Sequence, residues 1–385
     1  MNQPQSIDYP NKRETKQTVC LLTFEFPPNL YGGLGTHVAQ LSKALVEQGM
    51  EVHVITYSLT GYREQVVEHG IHIHRLDVEN HDDFYLFIAN VNREMVEYVI
   101  HLSSQLELNV IHGHDWLVGT ASMVLKKILK TSLVVTIHAL EYGRNGGIST
   151  PLQQKIMMVE KKMSYEADRL IVCSEYMKQE VKTILCVESS QIEVIENGVE
   201  IKQKSLHSQH LLVFALGRFV GEKGFQTLIK SAAIVKKEVH GVQFVLAGHG
   251  PMQSELEKLC QFYDVADCFT IIGFLTDTEK RKWFERSSVV VVPSYYEPFG
   301  IVALEAMSHG RPLIGTETGG LSEIIDGYNG IKVPPKDENA LATHLITLLQ
   351  DSNKACELGN QGYEYVKKYN WTTVAQKTLD LYKTI

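Results

Sequence analysis

Two glutamates, Glu297 and Glu305, lie eight residues apart just after a run of four valines. Phe299 and Gly300 lie between them and open an apolar-periodic segment, so the stretch predicts a buried strand, a loop and a helix. The N-terminus of a helix presents free backbone N–H groups at the positive end of its dipole, which suits a phosphate group. Glu305 would lie about 7 Å further along the helix axis, at ~1.5 Å per residue. Two hydroxyl acceptors on either side of an anion site fit a nucleoside diphosphate sugar.

Two cations, Arg218 and Lys223, lie five residues apart on a glycine-flanked turn that follows another apolar strand pattern. When a glycosidic bond to a diphosphate breaks, negative charge builds up on the leaving group. Fixed cations aimed at that charge stabilise the transition state without a metal ion. Either cation alone would be an ordinary solvated side chain, but the pair at this location predicts a diphosphate clamp.

A glycine-rich stretch, residues 27–36, lies between the first predicted strand and the first predicted helix. Gly33 and Gly35 form a fragment of a dinucleotide fingerprint, but Val38 stands at the sixth position, where that fingerprint has a glycine. The second strand then ends without a carboxylate for a ribose hydroxyl. The stretch therefore disfavours a nicotinamide dehydrogenase and favours a loop that brings backbone N–H groups to a phosphate.

Histidines close two of the predicted strands. His114 and the histidine two residues before it follow one strand, but no cysteine or acidic cluster nearby in the sequence completes a tetrahedral metal set. We therefore expect no metal site, and we expect Asp115 to cap the helix that follows. His138 closes the next strand at the edge where such sheets bind ligands, which makes it a candidate for a ligand contact. The glycine-rich run 141–147 that comes next predicts a mobile loop for a second substrate.

Short apolar strands alternate with helical patterns along most of the chain, which predicts doubly wound parallel sheets that bind ligands at the carboxyl ends of their strands. The alternation occurs twice, so we predict an α/β protein with two Rossmann-like domains and a cleft between them. The predicted divisions are a mobile N-terminal tail (1–16), an N-terminal domain (17–200), a linker (201–210), a C-terminal domain (211–365) and a last helical segment (366–385).

Composition restricts the class of protein. The 385 residues are 44% hydrophobic and 21% charged, which is typical of a globular protein of about two domains. The net charge of −8 disfavours a nucleic-acid-binding or anionic-membrane surface. Six cysteines without a Cys-x-x-Cys pair predict reduced thiols. No apolar run approaches the ~20 residues of a membrane span, and the polar start is unlike a signal peptide, so we expect a cytoplasmic location.

The run from Glu297 to Glu305, EPFGIVALE, resembles the Glu-x7-Glu motif of retaining glycosyltransferases with the GT-B fold. With residues 319–323 (GGLSE) and 329–330 (NG), it is most similar to family 4, the group close to bacterial glycogen and starch synthases. The resemblance extends from about Val19 to Trp371. It implies two Rossmann-like domains, with the acceptor on the first and the donor on the second, and a last helix that crosses back to the first domain.

The resemblance implies a metal-independent enzyme that transfers a hexosyl group with retention of configuration, without a cofactor. The implied donor is a UDP- or ADP-sugar, with glucose as the first choice and N-acetylglucosamine as the second. The implied acceptor is a hydroxyl of a small molecule or a glycan, and the oligomeric state stays open. Glycogen synthases usually have a lysine at the position of Leu30, so this residue disfavours a strict glycogen synthase.

The same resemblance implies roles for individual residues. Those with catalytic roles are His138, Arg218, Lys223 and Glu297. Those that bind the donor are Gly33, Arg218, Lys223, Gly273, Phe274, Glu297, Phe299, Gly300, Ile301, Val302 and Glu305. Those on the acceptor side are His114, Asp115, Tyr142 and Arg144.

Other functions stay open at this point. A GT-B sugar-nucleotide 2-epimerase would share the cleft, and a non-catalytic protein could bind a sugar nucleotide without turning it over. The epimerase lacks the Glu-x7-Glu run together with Arg218 and Lys223. The binding protein would tolerate loss of His138, which is present. A dehydrogenase is third, and it would have to bind a nicotinamide cofactor.

Overall fold

The computed structural model describes residues 16–30, 32–204 and 210–385. The predicted mobile tail lies, except for its last residue, outside the described residues, and so does half of the predicted linker. The structure contains two parallel α/β sheets, so the predicted fold class is confirmed. No helix among the described residues has the length and hydropathy of a membrane span.

The N-terminal sheet has eight strands in the order β3-β4-β2-β1-β5-β6-β7-β8, all parallel to their neighbours except β3, which pairs antiparallel with β4. Its strands are β1 (Thr18–Leu22), β2 (Glu51–Tyr57), β3 (Glu64–Glu68), β4 (Ile71–Leu76), β5 (Val110–His114), β6 (Ser132–Ile137), β7 (Arg169–Val172) and β8 (Ile192–Val194). The central strands are buried along their whole length, as their apolar runs predict, whereas β3 is an exposed edge strand that lacks such a run.

The helices of the N-terminal half are α1 (Gly33–Glu47), α2 (Phe84–Ser103), α3 (Gly119–Leu129), α4 (Glu141–Asn145), α5 (Pro151–Glu166) and α6 (Glu175–Leu185). Side chains cap three of them: Asp83 begins α2, Thr150 begins α5 in a capping box with Gln153, and Ser174 begins α6. Helix α4 corrects the prediction of a loop at 141–147. The Glu160 carboxylate accepts a hydrogen bond from the first backbone N–H of α4 and so holds the start of this short helix in place.

The C-terminal sheet has six parallel strands in the order β11-β10-β9-β12-β13-β14. Its strands are β9 (Leu212–Leu216), β10 (Gln243–Ala247), β11 (Phe269–Ile272), β12 (Val289–Val292), β13 (Leu313–Thr316) and β14 (Ile331–Val333). The remaining helices are α7 (Phe225–Glu238), α8 (Gln253–Phe262), α9 (Asp277–Arg286), α10 (Ile301–Ser308), α11 (Leu321–Ile324), α12 (Glu338–Gln350), α13 (Ser352–Val366) and α14 (Trp371–Tyr382). Each sheet is thus covered by helices on its faces, as parallel sheets require.

The last helix, α14, packs on the N-terminal half. Its Val374, Leu379 and Tyr382 belong to one buried apolar cluster with Val38 and Leu41 of α1. The Tyr382 hydroxyl also hydrogen-bonds His112 Nδ1 at 2.6 Å, inside the N-terminal sheet. The chain therefore crosses from the C-terminal half back to the first, and α14 ties the two halves together.

Candidate active site

Loops that follow the carboxyl ends of strands in the two sheets contact each other. A Cβ atom built on Gly33, after β1, would lie 3.1 Å from Ile301 Cδ1 at the start of α10. One built on Gly32 would lie 3.9 Å from the Arg218 side chain, after β9. The glycine-rich loop of the N-terminal half therefore lies against predicted donor residues of the C-terminal half, and side chains at these glycines would occupy the space between them.

Lys223 and Glu297 form the central ion pair of this cleft. Lys223 Nζ lies 2.8 Å from Glu297 Oε2, and Ser294 Oγ donates to the same oxygen at 2.9 Å. Gly224, with a φ of +66°, turns the chain directly after Lys223, so that it passes close to the Pro293 carbonyl after β12. Lys223, predicted to bind the diphosphate, and Glu297, predicted to accept hydrogen bonds from the sugar hydroxyls, are thus brought together from two different strand ends.

Arg218 is the second cation of the predicted clamp. Its guanidinium is 3.6 Å from the Glu222 carboxylate. Burial and, after it, the nearby Arg144 cation lower the pKa of Arg218 from its ordinary value. Since an arginine stays charged under such a shift, the site places positive charge beside the glycine-rich loop.

The start of α10 is shaped by glycines. Gly300 caps the helix with a φ of +113°, which a residue with a side chain rarely adopts. The Gly320 N–H donates to the Glu297 carbonyl at 2.9 Å, and a Cβ on Gly320 would run into the Pro298 carbonyl. The side chain of Phe299 is buried against Tyr369. Of the predicted donor residues here, Phe299, Gly300, Ile301 and Val302 therefore offer backbone groups at a helix N-terminus.

Glu305 is paired with a lysine that the sequence analysis missed. Lys280 Nζ of α9 lies 2.6 Å from Glu305 Oε1 and 3.2 Å from an Asp277 oxygen. Burial opposes the charge on Lys280, but the two carboxylates outweigh it, so that the pKa of Lys280 is raised above its ordinary value. No local spacing indicates this pair, because the two residues are 25 positions apart on separate helices. Of the other predicted nucleotide contacts, Gly273 and Phe274 follow β11, and the Phe274 side chain is exposed.

Asp115 does not cap a helix, so that prediction is wrong. It has a φ of 61°, and no side-chain capping bond is made at this helix start. Its Oδ1 accepts the His138 backbone N–H at 2.7 Å, and its Oδ2 lies 3.7 Å from the Arg144 guanidinium. Burial raises the pKa of Asp115 to about 6. The carboxylate therefore holds the backbone of the strand end that carries His138, instead of beginning the next helix.

Three imidazoles meet behind this carboxylate. His138 Nε2 lies 3.2 Å from His114 Nδ1, and the His37 ring lies 4.7 Å from that of His138 between centroids. Burial and then the Arg144 cation lower the pKa of His138 to about 3, which leaves a neutral ring. His114 is fully buried, so any effect it has on an acceptor would pass through His138. Tyr142, also predicted on the acceptor side, is exposed.

Glu160 of α5 is a further buried acid that the sequence analysis did not single out. Its Oε1 accepts the Glu141 backbone N–H at 2.9 Å. Burial raises the pKa of Glu160 to about 8, with Asp115 adding to that shift and Arg144 opposing it. In the folded chain this carboxyl therefore keeps its proton at neutral pH, so that no buried negative charge is left here.

Replacement of Glu160 by glutamine should flatten the pH dependence of stability. Between about 4.5 and about 8 the unfolded chain loses a proton that folded Glu160 keeps, so the free energy of unfolding falls as pH rises through this window. Glutamine keeps the acceptor for Glu141 N–H and does not titrate. We expect E160Q to match the wild type near pH 5 and to melt about 2–5 °C higher near pH 8. Thermal melts at both pH values measure this, with E257Q at an exposed glutamate as the control. Equal changes in melting temperature for E160Q and E257Q would contradict the prediction.

Glu323 joins the two halves at the rim of the cleft. Its carboxylate accepts the backbone N–H groups of Glu175 and Tyr176 at 3.0 and 2.6 Å, at the N-terminus of α6. Beside it, Ser174 Oγ donates to the Pro298 carbonyl at 2.7 Å. A carboxylate at a helix N-terminus is favoured by both the free N–H groups and the helix dipole. These bonds hold the loop between Glu297 and Gly300 against the N-terminal half.

The variant E323A should weaken ligand binding in the cleft more than it weakens the fold. Loss of a capping carboxylate is worth about 1 kcal/mol, which corresponds to a roughly fivefold weaker donor affinity if the bond forms only when the halves are closed. The matched control is D337A, because Asp337 caps α12 with two N–H bonds inside the C-terminal half. Calorimetric titration with the donor should show the loss in E323A alone. Equal affinities in both variants would mean that Glu323 does not contribute to closure.

Comparisons with known proteins identify the family and the fold of this chain. Residues 196–365 match the family model described as Glycosyl transferases group 1, and residues 31–203 match Glycosyltransferase Family 4. An uncharacterized glycosyltransferase of Methanocaldococcus jannaschii is 32% identical over 95% of this chain and 97% of its own length. The glycogen synthase of Mycobacterium tuberculosis is 29% identical over 94% of each chain.

A solved structure shares the whole architecture. The sucrose-phosphate synthase from Thermosynechococcus elongatus superimposes with a TM-score of 0.84 at 28% identity, over 96% of this chain and 99% of its own. The two family models together cover most of the residues of the two sheets. The relative at 32% identity and this superposition each cover at least 95% of the chain. The chain therefore belongs to the family 4 glycosyltransferases and has their GT-B fold.

Proposed function

We propose that this glycosyltransferase transfers a hexosyl group, glucose before N-acetylglucosamine, from a UDP- or ADP-sugar to an acceptor hydroxyl with retention of configuration. The observation that carries the proposal is the convergence of Arg218, the Lys223–Glu297 pair and the N-terminus of α10 on one cleft, closed by Gly33. The cations and helix N–H groups suit the phosphates of such a donor, and the carboxylates suit its hydroxyls. The fold accommodates such a donor, since Anabaena HepE, 17% identical with a TM-score of 0.76, was solved with UDP-glucose.

In this proposal the C-terminal half holds most of the donor. Arg218 and Lys223 bind the diphosphate, with help from the backbone N–H groups at the start of α10 and at Gly33. Glu297 accepts hydroxyls of the sugar, and Glu305 accepts those of the ribose. Each carboxylate would exchange part of its bond to a lysine for a bond to the ligand, so that the charges already present in the cleft stay balanced.

The proposed chemical step uses the donor itself as the base. The bond between the anomeric carbon and the phosphate oxygen breaks, and a bond from the same carbon to the acceptor oxygen forms on the same face. The acceptor proton moves to the leaving phosphate oxygen. Arg218 and Lys223 stabilise the charge that develops on that phosphate, and the neutral ring of His138 contacts the sugar. A metal ion is not required for this role, because the two cations supply the charge.

A donor screen followed by product analysis tests the proposal. Thermal shift of the purified chain with UDP, ADP, GDP, their glucose and N-acetylglucosamine conjugates, and NAD should give stabilisation by one sugar nucleotide. With that donor, proton NMR of the product formed in the presence of an acceptor, with chelator added, should show the anomeric configuration of the donor.

Each other outcome would overturn part of the proposal. A sugar nucleotide that stabilises the chain and is epimerised without any acceptor would indicate an epimerase. Binding without turnover, across glucans, sugar phosphates and inositol phosphates, would indicate a binding protein. Stabilisation by NAD alone would mean that the roles of Glu297 and Glu305 are wrong, and an inverted product would exclude the retaining route.

A further inference from the structure

The three histidines behind the proposed sugar site come from three separate elements. His37 belongs to α1, His114 ends β5, and His138 follows β6. One ring nitrogen of each lies within 4.8 Å of the other two. In the sequence they are spread over about a hundred residues, so the residues around His114 do not indicate a metal set.

The hydrogen bonds of the cluster leave one buried nitrogen of His37 without a partner in the described part of the chain. His37 Nδ1 donates to Asn197 Oδ1 at 2.6 Å, because an amide oxygen can only accept. His37 Nε2 is then the unprotonated nitrogen, and this buried atom has no hydrogen-bond partner among the described residues. Trp371 packs edge-on against the same ring, with centroids 5.5 Å apart. A histidine that ligates a metal usually donates one ring N–H to a neighbouring group and keeps the other nitrogen free. His37 has this arrangement, with Nδ1 bonded to the Asn197 amide and Nε2 free.

The distances fit a tetrahedral ion. With Zn–N bonds of about 2.0–2.1 Å, two ligand nitrogens are about 3.3–3.4 Å apart. His114 Nδ1 and His138 Nε2 are hydrogen-bonded at 3.2 Å, so these two need almost no movement once the ion displaces the proton between them. The His37 nitrogen lies within 4.8 Å of the other two, so it has to approach by at most about 1.4 Å. The fourth position would open to the cleft, since the His138 side chain is partly exposed.

We propose that His37, His114 and His138 bind one borderline divalent cation, with Zn²⁺ as the first candidate, and that the bound ion inhibits the enzyme. Imidazole nitrogens select such ions over Mg²⁺ or Ca²⁺. The ion replaces the hydrogen bond between His114 Nδ1 and His138 Nε2 and fixes the His138 ring, the proposed sugar contact, so that it acts against the donor. Metal binding stands on the geometry alone, whereas the inhibition rests on the proposed function.

A second cluster serves as the comparison. Glu51, His53 and His72 also approach one another, at the far end of β2 and β4. There both nitrogens of His53 already have partners, His74 at 3.0 Å and Glu51 at 3.3 Å. This cluster therefore lacks an unpartnered nitrogen on His53 like the one on His37. H72Q is therefore a matched histidine-to-glutamine control for H37Q, and neither His37 nor His72 belongs to the proposed donor site.

The test measures metal binding before activity. The tag-free, chelator-treated chain is dialysed against Zn²⁺, and in parallel its visible spectrum is recorded with Co²⁺, whose tetrahedral complexes absorb strongly. We expect one ion per chain and tetrahedral Co²⁺ bands in the wild type and in H72Q, and more than tenfold weaker binding in H37Q. No stoichiometric ion, an octahedral Co²⁺ spectrum, or binding lost in H72Q and kept in H37Q would overturn the site. If H37Q fails to fold by circular dichroism, the wild-type spectrum decides.

Activity separates the two proposals. Zn²⁺ should raise the donor KM of the wild type at least tenfold, and H37Q should keep its metal-free activity and lose this sensitivity. Wild-type activity that is unaffected at saturating Zn²⁺ would overturn the inhibition. A chain that binds the ion and transfers no sugar from any donor would remove the proposed function and leave the metal site intact.

Discussion

Replacing Lys223 by methionine should lower kcat by about 10²–10³-fold while the chain stays folded. Methionine keeps the length of the aliphatic stem and removes the charge that lies 2.8 Å from Glu297. The charge on the leaving diphosphate is greatest in the transition state, so kcat should fall more than the donor KM rises. Initial rates at several donor concentrations, with a thermal melt of each variant, measure both quantities.

The control for K223M is K236M. Lys236, on α7 of the same half, forms a surface ion pair with Asp267 at 2.7 Å, so its loss should change kcat less than twofold. A folded K223M variant with wild-type kcat would show that Lys223 only neutralises Glu297 and that the diphosphate is held elsewhere.

The variant E305Q should raise the donor KM by about 10–100-fold and change kcat much less. A carboxylate that accepts two ribose hydroxyls contributes about 1.5–3 kcal/mol, and this interaction is the same in the ground state and the transition state. Glutamine keeps the shape and one acceptor oxygen but loses the charge. Steady-state kinetics and the affinity for the free nucleoside diphosphate should show the same loss.

Lys280 allows the two roles of Glu305 to be separated. E305Q also leaves the largely buried Lys280 without its partner at 2.6 Å, which by itself could distort the site. In the double variant K280M/E305Q no buried charge is left uncompensated, because Asp277, the other partner of Lys280, is exposed to solvent. Stability should therefore recover while the donor KM stays high. A double variant with wild-type donor KM would mean that Glu305 serves Lys280 and not the ribose.

The fold class could be predicted from the sequence because its signals are local. Apolar runs such as Val289–Val292 predict buried strands without knowledge of their neighbours, and Ser174 or Thr150 before a helical period predicts a helix start. The exposed strand β3 was missed because its residues lack an apolar run. It is a strand because it pairs with β4 at the edge of the sheet, which is a tertiary contact. Asp115 was mistaken for a cap because its real partner, the His138 backbone N–H, belongs to another strand end.

The sequence by itself determined which chemical groups this protein carries and that they follow strand ends: Arg218 and Lys223 after one strand, Glu297 after another, and Gly33 before a helix. Since parallel strands present their carboxyl ends at one edge, this was enough to predict a shared cleft. Only the tertiary structure decided which charges compensate one another, as in Lys223 with Glu297 and Lys280 with Glu305, and that His37 joins His114 and His138. The reason is that ion pairs and metal sites depend on distances of a few ångströms, which are fixed by the packing of elements far apart in the chain.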